Sequence, residues 1–251
     1  ASLILAAAMI TSSFSATFSA SAATKRETAS LNVTNDTIYL TSNEDAQVEA
    51  GTIDGLLGNV EIETYDHDTE SGEFIGFTHA SGDRLIKIDD EGNVTVRKDV
   101  SGKEVITVTY EADYSRDDND ITLRAKKDIT IYAQVAGEYV LGTSAKDAFK
   151  GESIGSAAVN DDVLAVGVYK VSADAYGAWA DDTFTSTTDT VESVVNKTKN
   201  SKVFNNDNIS IEAGLIVVPL AGDEKTGTET YKVTLPGDSK STDFKFTVAK
   251  K

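Results

Sequence analysis

Apolar and polar positions alternate with a period of two along much of this chain. Between residues 85 and 110 three such runs follow one another. Ile86 and Ile88 flank Lys87, Val94 and Val96 flank Thr95, and Ile106, Val108 and Tyr110 flank Thr107 and Thr109. A period of two sends one set of side chains to a core and the other to water, which predicts β-strands. The runs are separated by Asp90-Glu91-Gly92-Asn93 and by Ser101-Gly102-Lys103. Each turn carries a glycine for a backbone angle that residues with a Cβ avoid. An antiparallel meander is expected here, with a core face and a solvent face.

Beyond Gly137 the pattern is less regular. Ser144 is placed to cap a short helix over AKDAFK, with Gly151 as its stop. DDVLAVGVYKV (161–171) is nearly all apolar and predicts a central strand buried on both faces. Asp189 and Glu192 beside Val191, Val194 and Val195 predict a second short helix. Alternation returns at Ile209 and Ile211, then over 215–220, 230–235 and 244–248, and Pro219 marks an edge or a strand end. No second copy of the 85–110 pattern is evident, so tandem repeats are not expected.

The stretch IKIDDEGNVTVRKDVSGKEVITVTY is similar to the core of the bacterial Ig-like domain, group 2. In that family a strand ending in Asp leads through a glycine turn to a "vtv" strand. A second glycine turn leads to an "iTVTY" strand. Leu31, Val33, Ile38 and Leu40 resemble its first strands, and Ile129 and Ile131 its last. The resemblance covers roughly residues 28–136, with longer insertions near 60–80 and 111–120. It implies a β-sandwich used for adhesion, spacing or assembly at cell surfaces, and it implies no catalytic residues. The fold class expected is therefore all-β. An Ig-like β-sandwich over 24–136 would precede a second mostly-β domain over 137–251 with one or two short helices.

Residues 1–23 form a separate problem. Leu3 to Ile10 is an apolar run, followed by small residues and Ala20-Ser21-Ala22, the pattern of a secretory signal peptide and its cleavage site. The same segment also alternates: Phe14, Ala16, Phe18 and Ala20 against Ser15, Thr17 and Ser19. That is a strand with one apolar face, suited to adding to an unpaired sheet edge of a neighbouring subunit. The apolar run is too short and too rich in Ser and Thr to predict a stable membrane span.

Charge narrows the partners. With 41 acidic against 23 basic residues, the net charge of -18 repels nucleic acid and anionic membranes. The absence of cysteine rules out disulfides, thiolate zinc sites and thiol catalysis. In TYDHDTESG (64–72), Asp66, Asp68 and Glu70 stand at alternate positions and are candidate Ca2+ ligands. An EF-hand loop needs Gly at its sixth position and Glu at its twelfth, and counting from Asp66 those places hold Ser71 and Phe77. Asp113 to Asp120 reads as a second acidic loop. His67 and His79, the only histidines, are poor evidence for a metal site.

Tyr176 and Trp179 flank a loop of small residues and are a candidate platform for a sugar ring, or else core aromatics. Candidate glycan acceptors are Asn32, Asn35, Asn93, Asn196 and Asn208, each opening an N-x-S/T triplet. No P-loop is present. The expected function is that of a prokaryotic extracellular structural protein, self-assembling into a surface filament, pilus or surface layer. The alternative is a monomeric adhesin or carbohydrate-binding surface module. Partners would be further copies, other surface proteins or a glycan.

Overall fold

The computed structural model describes residues 15–16, 27–116, 119–151, 156–158, 162–173, 176–180, 185–186, 191, 193–199, 202–212, 215–221, 226–235 and 242–249. Its longest feature is the hairpin of strands Gly102–Arg116 and Asn119–Val135. Alternation builds it: Ile106, Val108, Tyr110, Ala112 and Tyr114 are all buried, as are Leu123, Ala125, Ile129 and Ile131 on the return. The pairing runs without a break to Arg116 opposite Asn119. The acidic loop expected from 113 is thus mostly strand, because Ala112 and Tyr114 carry the inward face onward.

Five strands form the first sheet, in the order Tyr176–Gly177, Thr37–Ser42, Asn119–Val135, Gly102–Arg116 and Glu73–Gly82. Thr37–Ser42 lies parallel to Asn119–Val135. A second sheet holds Val48–Thr52, Asn93–Val96 and Ile86–Ile88 in that order, and a third holds Ser30–Val33, Val60–Glu63 and Thr69–Ser71. Side chains from all three meet in one core, among them Ile38, Leu40, Val94, Val96, Ile62 and Leu31. A short helix, Ile53–Leu57, is capped by the Thr52 side chain and adds Ile53, Leu56 and Leu57 to it.

The meander expected over 85–110 is divided between two sheets. Ile86–Ile88 and Asn93–Val96 do pair across the turn at Gly92, whose φ is 80°. Gly102–Arg116 instead pairs with Glu73–Gly82. The apolar faces of the two sheets bury each other, so residues 97–101 carry the chain across the core rather than back alongside.

The second half has two sheets. One runs Tyr139–Gly142, Val163–Lys170, Leu215–Pro219, Ser210–Glu212, and the other Ser156–Ala158, Thr242–Ala249, Gly227–Thr234, Ser193–Asn196. This repeats the first half. In chain order, the counterparts of 37–42, 48–52, 73–82, 86–88, 93–96, 102–116 and 119–135 are 156–158, 163–170, 193–196, 210–212, 215–219, 227–234 and 242–249. Even the parallel pair recurs, between Ser156–Ala158 and Thr242–Ala249. The chain is all-β with Ig-like sandwich topology in both halves, and a second core gathers Leu164, Val166, Ile216, Val218, Tyr231 and Phe246. The sequence reading found no such copy. Only Gly102, Glu104, Val108 and Thr109 recur in step, as Gly227, Glu229, Val233 and Thr234. Both glycines sit at positive φ, 128° and 155°.

Two local expectations change. Val194 and Val195 lie on strand Ser193–Asn196, not on a helix, and pair with 231–234; adjacent β-branched residues favour the pleated form. Val163–Lys170 is central, but its burial alternates: Leu164, Val166 and Val168 are buried while Val163 is 43% exposed. The helix Ala145–Lys150 forms as expected, with the Ser144 side chain accepting from the Asp147 N–H and Gly151 in the left-handed region at its end.

Candidate functional site

Strand alternation gives Tyr39 and Tyr132 to the side of the first sheet opposite Ile38, Leu40, Ile131 and Ala133. Their rings stack with centroids 5.7 Å apart. Phe149 of the short helix meets Tyr39 edge-on at 5.8 Å, and Trp179 meets Tyr39 at 5.1 Å. Val171 completes this small cluster, which joins the two halves. Tyr176–Gly177 strengthens the junction by pairing its backbone with Leu40 and Tyr39.

Above the cluster is a groove of about 460 Å3. Its walls come from the turn before Thr37–Ser42, from Thr130 and Tyr132, from Lys146 and Lys150 one helical turn apart, and from Trp179. The Lys146 ammonium stands 5.8 Å from the Tyr39 ring centroid and that of Lys150 stands 6.0 Å from Tyr132. Lys103 approaches the Tyr132 ring at 5.3 Å. Asp36 also lines the groove and accepts a hydrogen bond from the Thr37 hydroxyl at 3.2 Å.

A second constellation occurs twice. Glu104 is 2% exposed; its Oε2 accepts from the backbone N–H groups of Leu85 and Ile86 at 2.6 and 3.2 Å, and Oε1 meets His79 Nδ1 at 2.9 Å. Glu229 is 3% exposed; its Oε1 accepts from the N–H groups of Lys202 and Val203 at 2.9 and 3.0 Å, and Oε2 accepts from Asn196 Nδ2 at 2.6 Å. His79 and Asn196 lie on corresponding strands of the two sandwiches. Filled lone pairs and lack of solvent make these carboxylates structural clamps rather than reactive groups.

The candidate sites read from sequence are dispersed. Asp66 accepts from the Tyr114 hydroxyl at 3.0 Å and stands 3.6 Å from Arg116, and this bond raises the Tyr114 phenol above its ordinary pKa. Glu70 is on the strand Thr69–Ser71 and Asp68 in the preceding turn, and among the described residues no three carboxylates or histidines gather to hold a metal. His67 is exposed and hydrogen-bonded to Glu63, whose carboxyl it holds below the usual range. Trp179 is half-buried at the groove, whereas Tyr176 packs toward the first core.

Of the arm, Phe14, Phe18 and Ala20 fall outside the described residues, and Ala16 pairs its backbone with Glu27. Asn35 donates to the Leu56 carbonyl, Asn196 to Glu229, Asn93 to Asp89 and Asn32 to Glu63, while Asn208 is exposed. No described helix is long and apolar enough to cross a membrane. Tyr39, Tyr132, Lys146 and Lys150 were missed by the sequence reading. The signal available was an aromatic at the polar phase of a strand, seen twice, and two lysines at i and i+4.

No family model matches the chain, and no curated protein matches it in sequence. Among solved structures it is similar to domains 5–6 of the S-layer protein SbsC at 14% identity, covering 92% of this chain and 98% of that one with a TM-score of 0.23. It is similar to the D00-D0 domain of intimin at 12% identity, covering 88% and 99% with a TM-score of 0.29. Drosophila N-cadherin EC1-3 is similar at 12% identity, covering 89% and 67% with a TM-score of 0.29.

Proposed function

We propose that this protein is an exported structural component of a prokaryotic cell surface, a stiff two-module spacer that assembles with copies of itself. Residues 24–136 and 137–251 are its modules. One observation carries the reading: two sandwiches of the same strand order are joined by a buried aromatic cluster and a shared sheet edge. A flexible linker would leave modules free to swing, whereas an apolar contact fixes their relation. The acidic surface keeps assembly selective by repelling casual contacts.

Sheet edges are the expected contact points, and they differ. The long edge strand Glu73–Gly82 has register shifts that leave Ile75 and Ala80 without partners, and such bulges discourage pairing with a neighbour. The corresponding edge Ser193–Asn196 is regular and leaves Val195 54% exposed. The alternating arm from Phe14 to Ala20 is the segment proposed to add to it from a second copy. Negative-stain microscopy and sedimentation of 1–251 against 24–251 test this: polymers are expected only with the arm. Monodisperse monomers from both chains would remove the assembly, and equal polymers from both would remove the arm's part in it.

The adhesin or carbohydrate-binding reading draws support from a separate observation, the groove beside Trp179.

A further inference from the structure

The groove at the junction is unlike the rest of the surface. The chain carries a net charge of -18, yet two lysines face this recess, and among the described residues neither Lys146 nor Lys150 forms an ion pair with a carboxylate. Their ring contacts, at 5.8 and 6.0 Å, lie at the outer limit for a cation held by an aromatic face. The ammonium groups are therefore positioned but not consumed. Four helical positions separate them by about 6 Å along the axis.

The remaining lining defines what they would face. Asp36 uses Oδ1 for the Thr37 hydroxyl, which leaves its other oxygen to accept from a ligand hydroxyl. Thr34 already accepts from the Asn59 N–H, which leaves its O–H to donate. Trp179 is half-buried and offers part of an indole. The volume of about 460 Å3 falls in the range of small-ligand sites.

A ring with one apolar face, several hydroxyls and carboxylates at short intervals satisfies every one of these groups. A neutral sugar leaves both cations without counterions. We propose that this groove binds a uronic-acid oligosaccharide, with carboxylates on Lys146 and Lys150, a ring hydroxyl on Asp36 and one ring against Trp179. The site does not depend on self-assembly, and it gives the protein a second function: holding an acidic polysaccharide at the surface it helps to build.

Calorimetric titration of the full chain with trigalacturonate, and with maltotriose as the neutral control, tests the site. Saturable binding of trigalacturonate only is expected, weakened by added salt and at least tenfold by the double substitution Lys146→Ala with Lys150→Ala. Lys232→Ala, an exposed lysine on a strand of the second half, leaves it unchanged. Thermal melting of both variants is expected to match the parent, because none of the three lysines is buried. Absence of saturable binding, equal affinity in the double variant, or equal affinity for maltotriose overturns the proposal. If the double variant instead loses self-association and no oligosaccharide binds, the groove belongs to contact between copies; this proposal then fails while the assembly stands.

Discussion

A carboxylate withdrawn from water is costly unless its lone pairs are filled, and Glu104 and Glu229 fill theirs in the same way. Each ties the start of one strand to a loop entering the facing sheet, by two backbone donors on one oxygen and a side chain of the neighbouring strand on the other, and Glu229 is also bonded to the Tyr231 hydroxyl. Glu104→Ala strands two buried N–H groups and is expected to cost on the order of 3 kcal/mol, read by urea unfolding; Glu229→Ala strands the buried Val203 N–H and the half-buried Lys202 N–H and is expected to cost somewhat less. His79→Asn, which installs the partner its counterpart already uses, is expected to cost less than about 1 kcal/mol; a loss as large as that from Glu104→Ala would show the two clamps are not equivalent. Tyr110 adds a pH dependence. Burial and the 2.6 Å bond to Asp54 raise its phenol well above the ordinary value. The native state thus keeps a proton that the unfolded chain releases above about pH 10, so stability falls as pH rises past that point. Tyr110→Phe is expected to flatten the fall in an alkaline unfolding series. None of this was legible beforehand. A Glu in an alternating run looks solvated until the partner strands are known, and the shared G-x-E start is only three residues long.

The strands themselves were legible because their period survives in any tertiary setting. Ile86, Ile88, Val94, Val96 and the run to Tyr110 are strand residues as expected. Which strand sits beside which was not, since alternation fixes a face and not a neighbour. Val194 and Val195 were misread because Asp189 and Glu192 imitate a helix start while local β-branching argues for a strand. The helix Ala145–Lys150 was read correctly from its two caps, and Ser144→Ala is expected to cost about 1 kcal/mol. Its approach to the neighbouring strand was not readable. A Cβ on Gly142 would stand 2.6 Å from the Ala148 nitrogen, so Gly142→Ala must push the helix outward. The expected cost is about 1–3 kcal/mol, measured by denaturant melts, and the shift should also disturb the tryptophan fluorescence of Trp179. An unchanged emission spectrum would show that the helix does not move.

At the scale of the molecule, the junction decides whether the halves behave as one body. Phe149 is fully buried between Tyr39 and Trp179. Phe149→Ala is expected to cost about 3–5 kcal/mol and to split a single calorimetric unfolding transition into two, one for each sandwich. A single transition in the variant would mean that the shared edge at Tyr176–Gly177 suffices to couple them. The sequence reading of two β-rich halves anticipated the fold class but not the duplication, whose connections differ too much in length between copies. The hairpin that spans 102–135 in one spans 227–249 in the other.

The two parallel pairs, 37–42 with 130–135 and 156–158 with 247–249, place an early strand of each sandwich beside its last. Tension applied at the two ends of a sandwich drags these neighbours in opposite senses along their length. All rungs of the ladder then bear load together, whereas a hairpin pulled at its open end peels one rung at a time. Stretching single molecules by their ends should therefore require more force than tugging across the hairpin at Glu111 and Arg124, which face each other. Toughness under load would then follow from this strand order alone.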